Sequence, residues 1–394
     1  MRIGVDACCW SNRRGFGRFA RELLTALTAM DQKNEYWLFV DQKTAGQHRF
    51  PANAYLEIVQ TDQAPVEAAS ASGRRSLADL WAMSRHVATK PLEIFFFPAI
   101  YSYFPVLNHT KVVVTIHDMT PAKFAKAVFP NRKLQFFWNL KQWLALRQAD
   151  RIVTVSEYSR KQIMEHLRLP ESKVQVVTEG PGDAFRLLPC DEERVRILAK
   201  FNLNPQDRFL LYAGGISPHK NLRFLIEVYS ELLRLPAFAD LYLVLAGDHE
   251  RDSFYSDYSE LRAAVERLDL GNRVVFTGYL EDSELAHLYN AAELFVFPSL
   301  QEGFGLPAVE AMACGSPIAA GSAGSLPEVI GDAGVFFDPT NRKEAIGVIR
   351  GILLDSEKRQ ELRKRGLKRV GQFQWTLAAQ QALKIFEDVA QASV

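Results

Sequence analysis

The feature that most constrains the fold is a series of short, strongly apolar runs that recurs along the whole chain. Seven runs occupy the first half, at 2–7, 36–40, 55–60, 94–98, 111–118, 151–156 and 174–180. Six more follow, at 209–215, 241–248, 273–279, 294–299, 316–321 and 334–339. Segments with a helical period of 3.6 lie between several of them, near 17–30, 75–87, 131–148 and 157–167. Strands that alternate with helices predict parallel sheets with helices on both faces.

A polar, proline-bearing segment near 181–205 separates the two series of strands. A chain of 394 residues is long enough for two or three domains, each with its own core. We therefore predict an α/β fold of two doubly wound, Rossmann-like lobes, over 1–185 and 206–374, joined by a linker at 186–205 and followed by a helical tail at 375–394. In such a fold the ligand is expected at the carboxyl ends of the strands, in a cleft between the lobes.

The charge is balanced overall but differs between the two halves. Lys and Arg number 47 and Asp and Glu number 46, so the formal net charge of +1 gives no indication of a nucleic-acid partner. Residues 1–190 hold 25 basic and 17 acidic residues, whereas the remainder holds 22 and 29. Opposite signs in the two halves predict lobes with different partners.

The cysteines and the N-terminal sequence indicate a reducing compartment. The four cysteines, Cys8, Cys9, Cys190 and Cys314, lack the spacing of a zinc site or a C-x-x-C motif. The N-terminus lacks a basic segment followed by an apolar stretch, and no window of about 18 residues is apolar throughout. We therefore expect a cytoplasmic protein, either free or peripheral at the inner face of the cell membrane.

A glycine-bearing loop and a short helix are predicted directly after the strand at 294–299, in SLQEGFGLPAVEAMACGSPIAAG. Pro307 suits the first turn of a helix, and Gly305 allows the loop backbone to approach a ligand closely. Free N–H groups at the helix start would bind an anion. Glu302 and Glu310 stand on either side of the loop, where two carboxylates can accept hydrogen bonds from sugar hydroxyls. An ordinary helix start with one capping and one solvent-facing acid is the alternative.

A second anion site is predicted in AGGISPHKNLRFL, at 213–225. Ser217 suits the N-cap of a helix and Pro218 its first position. The first turn then carries several basic side chains, including Lys220, although each cation at a helix N-terminus is disfavoured by about 0.3–1 kcal/mol. A bound diphosphate, which Lys220 would neutralise as a point charge, would explain them. Solvent-facing side chains that tolerate the helix dipole are the alternative.

A third candidate segment, basic and glycine-rich, follows the first strand at 11–24, in SNRRGFGRFARELL. Gly15, Gly17 and Arg18 fit a G-x-G-x-x-A pattern that, with Asp41, matches the dinucleotide-binding fingerprint. In that fingerprint the first glycine follows the strand at once, whereas seven residues intervene here. We therefore expect a mobile, basic loop over the cleft that contacts phosphate or acceptor. An ordinary solvated loop is the alternative.

His117 and Asp118 end the strand VVVTIHD, at the strand terminus where functional side chains collect in an α/β lobe. A lone histidine at such a place is often only a hydrogen-bonded loop residue. The candidacy of His117 as a catalytic residue therefore depends on the anion sites that the other motifs predict for the same cleft.

Together these motifs resemble the retaining GT-B glycosyltransferases of family 4, and the resemblance covers most of the chain. It is carried by IHD at 116–118, RIVTVSEYSR at 151–160, SPHKN at 217–221, VVFTGYL at 274–280 and EGFGLPAVEAMACGSPIAAG at 302–321. The resemblance implies an acceptor-side first lobe, a nucleotide-sugar-binding second lobe, and a last helix that crosses back onto the first lobe.

The resemblance also implies a role for each candidate residue. Glu302 would stand beside the donor sugar, His117 would contact the transferred sugar or stabilise positive charge through its carbonyl, and Lys220 would bind the leaving diphosphate. The donor-binding residues would be Glu310 at the ribose hydroxyls, Phe304, Gly305 and Leu306 through backbone N–H groups, Ser217 at the diphosphate, Gly215 in the preceding turn, and Tyr279 and Leu280 beside the base.

One position departs from the family pattern. Gly215 stands where the family usually has an arginine, so Ser217 and Lys220 would hold the diphosphate, with help from Arg18. The chain has no D-x-D motif, and its nearest triplet, at 282–284, indicates a helix start. We therefore expect no required metal and no cofactor apart from the donor substrate, a UDP-, GDP- or ADP-sugar.

The reaction that the resemblance implies is transfer of a hexose, with mannose favoured, to a glycan or lipid-linked acceptor. The configuration at the anomeric carbon would be retained. Because no catalytic nucleophile is evident, front-face attack with proton transfer to the leaving phosphate fits retention. A GT-B nucleotide-sugar epimerase, a nicotinamide-dependent oxidoreductase and a non-catalytic sugar-binding or nucleotide-binding module are the alternatives.

A basic, aromatic segment at 123–147 carries six Lys and Arg residues and no acid. Interleaved aromatic side chains predict an element that lies on an anionic membrane surface. The alternative is a core helix, whose apolar face against a sheet would consist of Phe137, Leu140, Leu144 and Leu146.

Overall fold

The computed structural model divides the chain into two compact units. The first unit consists of Met1–Glu179 together with Trp375–Val394, and the second of Gly180–Gln374. Each of the thirteen apolar runs contains a strand. The residues that the structure describes are 1–12, 15–61, 76–129, 131–248 and 257–392.

A seven-stranded, wholly parallel sheet forms the centre of the first unit. Its order is β3-β2-β1-β4-β5-β6-β7, and both faces of the central strands are buried, as in sheets covered by helices on both sides. The strands are β1 (Arg2–Asp6), β2 (Glu35–Asp41), β3 (Tyr55–Val59), β4 (Ile94–Phe97), β5 (Lys111–Thr115), β6 (Arg151–Thr154) and β7 (Val174–Val176).

The helices of the first unit follow the strands in the order that the alternating pattern predicts. Polar caps start several of them: Asn131 accepts a hydrogen bond from the Leu134 N–H, and Ser156 accepts one from the Ser159 N–H. The helices are α1 (Gly15–Met30), α2 (Gln42–Gln47), α3 (Leu77–Ala88), α4 (Thr120–Lys123), α5 (Ala125–Val128), α6 (Arg132–Gln148) and α7 (Glu157–Leu167).

The second unit repeats this architecture with six parallel strands in the order β10-β9-β8-β11-β12-β13. The strands are β8 (Phe209–Ala213), β9 (Tyr242–Ala246), β10 (Val274–Gly278), β11 (Leu294–Phe297), β12 (Ile318–Gly321) and β13 (Gly334–Phe337). The helices are α8 (Glu192–Ala199), α9 (Leu222–Leu232), α10 (Tyr258–Arg267), α11 (Asp282–Ala291), α12 (Leu306–Ala313), α13 (Leu326–Ile330), α14 (Arg342–Leu353) and α15 (Ser356–Arg369).

The last helix, α16 (Trp375–Gln391), returns to the first unit and packs against α1. Its Phe386 ring lies 5.2 Å from the ring of Phe96 on β4, and its Gln381 side chain accepts a 2.9 Å hydrogen bond from the Thr178 N–H. The predicted return of the last helix is therefore confirmed. Within the described ranges, no helix is both long enough and apolar enough to cross a membrane.

The segment expected to be a linker, 186–205, lies inside the second unit, which starts at Gly180. It contains α8, whose first N–H groups are capped by Asp191 through a hydrogen bond from the Arg194 N–H. The polar composition of α8 is that of a capped surface helix, because only Arg194, Ile197 and Leu198 of its eight residues are buried. Polarity alone did not distinguish a surface helix from a linker.

Candidate active site

The candidate site of the second unit lies at the carboxyl ends of β8 and β11, the neighbouring strands at which the strand order reverses. The loop after β11 leads into α12, and its last residue, Gly305, has a φ of 94°. A Cβ at Gly305 would stand 2.7 Å from Leu326 Cδ2, so another residue there would meet both backbone strain and a clash. The glycine that the sequence singled out is therefore required by the start of α12.

The same loop is also held by hydrogen bonds from the buried Ser325, which was not predicted from the sequence. The Ser325 hydroxyl donates to the Phe304 carbonyl at 2.8 Å, and the Ser325 N–H donates to the Glu302 carbonyl at 3.3 Å. The buried Phe304 ring meets the Phe373 ring edge-on at 5.5 Å. These contacts fix the loop backbone, so the N–H groups from Phe304 to Leu306 have set directions.

Glu302 and Lys220 meet in an ion pair at this loop. The Nζ atom of Lys220 lies 2.8 Å from Oε1 and 2.9 Å from Oε2 of Glu302. Both side chains are largely buried, with exposed fractions of 16% and 9%. The two residues belong to separate sequence motifs, at 213–225 and 299–321. Their contact depends on the pairing of β8 with β11, which the sequence does not reveal.

Lys220 lies before an α-helix and not within its first turn, so this part of the prediction was wrong. Pro218–Lys220 form a 3₁₀ turn, Asn221 takes a left-handed conformation with a φ of 61°, and α9 begins only at Leu222. The Ser217 hydroxyl lies 3.3 Å from His219 Nδ1, where the prediction had it capping a helix.

Asn221 holds this turn against the two strand ends. Its side-chain amide donates to the carbonyl of Pro298 at 3.2 Å and to that of Pro339 at 2.8 Å. The Leu300 N–H donates to the His219 carbonyl at 2.9 Å. The turn that carries Lys220 and the loop that carries Glu302 are therefore tied together through backbone groups as well as through the ion pair.

The turn after β8 is fixed by Tyr212. Its hydroxyl donates to the Gly215 carbonyl at 2.7 Å. Burial, together with the charge of Glu302, raises the pKa of the Tyr212 phenol, so it stays protonated and keeps donating. Gly214 has a φ of 144°, whereas a Cβ on the exposed Gly215 would stand in open space among the described residues. At the position where the family usually has an arginine, the first side-chain atom would therefore meet no neighbour within 4 Å among the described residues.

Glu310 lies in α12 and is 4% exposed. The Tyr289 hydroxyl donates to Glu310 Oε2 at 3.3 Å. Burial raises the pKa of the nearby Cys314 thiol to about 12, and the Glu310 charge adds to the shift. Tyr289 comes from α11 and was not predicted, because its place in that helix follows from an ordinary apolar pattern.

Tyr279 and Leu280 follow β10 directly, in the short loop before α11. The Tyr279 ring is 39% exposed, and its hydroxyl lies 3.5 Å from Glu281 Oε2. Glu281 forms a capping box with Glu284 at the start of α11, as the triplet at 282–284 predicted. The role of this loop at the donor base stays a prediction.

His117 lies in the first unit, just after β5. Its Nε2 lies 2.9 Å from the Pro98 carbonyl, and its Nδ1 lies 3.8 Å from Oε1 of Glu179. Burial lowers the pKa of His117 to about 4, so the ring is neutral near pH 7 and donates from Nε2. Glu179 was missed, although it follows β7 closely, much as His117 follows β5.

Gly15, Gly17 and Arg18 form the first turn of α1, so the expectation of a loop was wrong. A Cβ on Gly17 would stand 2.0 Å from the Asn12 carbonyl oxygen, so this glycine allows the helix to meet the preceding chain. Phe19, one turn into α1, meets the His117 ring edge-on at 4.9 Å. The neighbouring residues 13 and 14 lie outside the described residues.

A cavity of about 160 Å³ lies beside His117 in the first unit. Its lining combines Asp118 with Gln135, Trp138, Asn139 and Gln142 from one side of α6. Amide and aromatic side chains of this kind suit a polyhydroxylated ligand, because they offer both donors and acceptors.

Two family models match the chain. The model described as Glycosyltransferase Family 4 matches residues 13–180, and the model described as Glycosyl transferases group 1 matches residues 193–369. The chain belongs to glycosyltransferase family 4. The resemblance to family 4 that the motifs indicated is thereby confirmed, whereas retention of configuration stays a prediction.

Curated proteins similar to this chain include mannosyltransferases of Escherichia coli. O-antigen chain mannosyltransferase B is 34% identical over 245 residues, which are 62% of this chain and 62% of that protein. The serotype-specific mannosyltransferase WbdA is 30% identical over 285 residues, which are 72% of this chain and 34% of WbdA. The chain therefore spans about a third of WbdA and less than two thirds of mannosyltransferase B.

Solved structures of the same architecture include HepE from Anabaena in complex with UDP and glucose. It superposes with a TM-score of 0.73 at 20% identity, covering 98% of this chain and 99% of that one. At this identity the similarity concerns the fold alone, and it confirms the GT-B architecture expected for the family 4 glycosyltransferase.

The structure brings some of the predicted site residues together and leaves others apart. In the second unit, Lys220 and Glu302 are in contact, and the segment from Phe304 to Leu306 joins Glu302 to the helix of Glu310. Tyr212 links the Gly215 turn to this loop: its hydroxyl donates to the Gly215 carbonyl, and it lies near enough to Glu302 for that charge to raise its pKa. His117, Gly15, Gly17 and Arg18 belong to the first unit, where they gather around the start of α1 and the end of β5.

Proposed function

We propose that this family 4 glycosyltransferase transfers a hexose, with mannose favoured, from a nucleotide-diphosphate sugar to a hydroxyl of a glycan or lipid-linked acceptor. The contact of Lys220 with Glu302 beside the start of α12 carries the proposal. It provides a cation for phosphate and a carboxylate for sugar hydroxyls at one loop. The mannosyltransferase names of the relatives and the UDP and glucose bound to HepE support a nucleotide-sugar donor.

The donor would be bound by the second unit. Glu310 would hold the ribose hydroxyls, since its carboxylate is fixed in α12 by Tyr289. The backbone N–H groups of Phe304, Gly305 and Leu306 would bind phosphate and sugar oxygens, because N–H groups at a helix start favour negative charge. Lys220 would turn from Glu302 toward the diphosphate, leaving the carboxylate to accept from the sugar.

The reaction would be a displacement at the anomeric carbon. The bond from that carbon to the diphosphate oxygen breaks with its electron pair on the leaving group, and a bond to the acceptor oxygen forms on the same face. The acceptor proton passes to a leaving phosphate oxygen. Lys220 and the fixed N–H groups would balance the charge of the diphosphate without a required metal ion. Preorganised charges of this kind lower the barrier because they need no reorientation.

His117 would act through its neutral ring or its carbonyl. Because burial lowers its pKa to about 4, it carries no charge that would oppose an oxocarbenium-like sugar near pH 7. Gly15, Gly17 and Arg18 would act at the phosphate or acceptor from the first turn of α1. A lipid-linked acceptor is held at a bilayer, so peripheral contact with an anionic membrane through the first unit belongs to this proposal.

The donor is tested by thermal-shift titration with UDP, GDP, ADP and NAD. A ligand at 100 times its Kd stabilises by about 2.7 kcal/mol, so one nucleoside diphosphate is expected to raise the Tm and NAD is not. Glu310→Ala should abolish the shift, whereas Glu302→Gln should keep it and lower kcat.

Transfer is tested with the matching nucleotide sugar and a panel of glycan acceptors, and the product is examined by NMR. Retention of the anomeric configuration and activity in EDTA are expected. A Tm shift by NAD alone, or a change of the donor sugar's configuration without any acceptor, would favour the oxidoreductase or the epimerase and refute the proposal. Binding without either reaction would indicate a non-catalytic module.

A further inference from the structure

We propose that the exposed face of α6 docks the protein on an anionic lipid surface. At 100° per residue, eight of the nine exposed residues of this helix fall within an arc of about 140°, and the ninth, Asn139, lies at its edge. We call these eight the basic-aromatic face, and they are Arg132, Lys133, Phe136, Phe137, Leu140, Trp143, Leu144 and Arg147.

The apolar side chains of this face point away from the core of the first unit. Phe136 is 63% exposed, Phe137 53% and Trp143 48%. The opposite side of α6 is the one that packs: Trp138 and Ala145 are buried, and the Trp138 ring lies 5.1 Å from the Tyr101 ring. A soluble helix usually shows the reverse pattern, with its large apolar residues inside.

This exposure contradicts the core-helix alternative for three of its four residues. Phe137, Leu140 and Leu144 are exposed, and Leu146 alone is partly buried. The helix packs on the core through Trp138 and Ala145, and the partly buried Leu134 and Leu146 pack beside them. The large apolar residues of α6 are therefore available to a partner.

The charge of the face specifies an anionic partner. Between Met119 and Ala149 the sequence contains no Asp or Glu. The Arg147 guanidinium stands 4.5 Å from the centre of the exposed Trp143 ring. A cation and an indole therefore lie side by side on this face. Lipid headgroups offer phosphate to the cations, and the boundary with the acyl chains offers an apolar layer to the rings.

A second copy of the chain fits this face less well than a bilayer does. In a two-fold symmetric contact the same patch faces itself. The three basic residues of one copy would then meet the three of the other, with no carboxylate on either face to compensate. Charge complementarity therefore favours a lipid surface.

The inner side of α6 connects docking with chemistry. Gln135, Trp138, Asn139 and Gln142 line the cavity beside His117, so one helix presents one side to that cavity and the other to the surroundings. If the proposed transfer to a lipid-linked acceptor holds, docking through the outer side would bring that cavity close to membrane-held acceptors. The docking itself does not depend on which reaction is catalysed.

The experiment is co-sedimentation of the full chain with vesicles, without donor or acceptor. Vesicles of phosphatidylcholine with phosphatidylglycerol are compared with vesicles of phosphatidylcholine alone, over a range of NaCl concentrations. We expect binding to the anionic vesicles that declines as salt increases. Arg132→Glu, Lys133→Glu and Arg147→Glu together should lower the partition coefficient by about a hundredfold or more.

The matched control reverses three lysines on an exposed helix of the second unit. Lys358→Glu, Lys364→Glu and Lys368→Glu change the net charge equally but lie on α15, and they should leave binding nearly unchanged. Circular dichroism and Tm establish that both triple variants are folded. Sedimentation that falls equally in both variants would show a general charge effect and overturn the proposal.

Trp143 gives a second readout. We expect anionic vesicles to shift the fluorescence of the protein to shorter wavelength, and Trp143→Phe to remove most of that shift while binding persists. Equal binding to both vesicle types, or none to the anionic ones, would overturn the proposal. A dimer that the Arg132, Lys133 and Arg147 reversals alter, without vesicle binding, would assign the face to a second copy. None of these outcomes bears on the proposed transfer reaction, because activity is not measured.

Discussion

At the scale of single residues, the Lys220–Glu302 pair concentrates opposite charges in a largely buried place. Removing one partner leaves the other charged and without its counterpart, which is costly in a buried setting. We expect Lys220→Ala and Glu302→Gln each to lower the free energy of unfolding by about 2–4 kcal/mol. The double variant should lose less than the sum, with a coupling of at least about 1 kcal/mol. Urea unfolding of the four proteins measures it, and strict additivity would contradict a direct ion pair.

A substitution at Gly215 that adds a positive charge tests the predicted diphosphate site. Because a Cβ there stands in open space among the described residues, Gly215→Arg should change stability by less than about 0.5 kcal/mol. The added guanidinium should tighten binding of the nucleoside diphosphate, measured by calorimetry. Gly214→Arg is the control: its φ of 144° and a 2.9 Å approach to the Tyr212 hydroxyl should make that variant unstable. Unchanged or weaker nucleotide binding by a stable Gly215→Arg would argue against a phosphate at this turn.

His117 makes stability depend on pH in a defined direction. Its pKa is about 4 in the fold, below the ordinary value of 6.5, so the unfolded chain binds more protons between these values. The stability that the neutral ring contributes is therefore present above about pH 6.5 and is lost as the pH falls toward 4, by up to about 3 kcal/mol. Chemical unfolding of wild type and His117→Gln at several pH values should show a shallower slope for the variant. Parallel curves would refute the assignment.

At the scale of elements, the start of α12 depends on one backbone conformation. Gly305→Ala should cost about 1–3 kcal/mol through its positive φ and the nearby Leu326 side chain, and should weaken donor binding. Gly347→Ala, in the exposed middle of α14, is the matched control and should stabilise by about 0.5–1 kcal/mol. Equal effects of the two changes would show that the loop tolerates other conformations.

Element positions were largely predictable, whereas contacts between elements were not. Every strand of the described residues was predicted because short runs of β-branched and aromatic residues favour buried strands. The start of α1 was missed because its two glycines indicate a loop, although Gly17 serves close packing with Asn12. The start of α9 was missed because Asn221, with its left-handed φ, ends the turn that Ser217 and Pro218 suggested.

The candidate site shows the same division. Residue type and spacing predicted Glu302, Lys220 and Glu310 as site residues, whereas Tyr289, Ser325 and Glu179, which contact predicted residues, were not predicted. Tyr289 and Ser325 act through individual hydrogen bonds and Glu179 through a close approach, and a single sequence carries no pattern for such contacts. The exposure of the large apolar residues of α6 was likewise decided by which side of that helix meets the core.

At the scale of the whole molecule, α16 completes the first unit. Deleting the chain from Trp375 onward removes the partner of α1, the contact of Phe386 with Phe96 and the hydrogen bond from Thr178 to Gln381. We expect hydrogen exchange of α1 and β4 to accelerate while exchange of β8, β11 and α12 stays unchanged. Faster exchange in the second unit as well would show that α16 supports both units.

The return of α16 also fixes an order of events during synthesis on the ribosome. The second unit, Gly180–Gln374, is translated in one uninterrupted stretch and has all its strands before Trp375–Val394 is made. The first unit has all of its strands much earlier, yet the side of α1 that α16 covers stays open until Trp375–Val394 has been made. The nascent chain therefore exposes apolar surface for the whole time that the second unit is made, and an early stop codon would leave it exposed permanently.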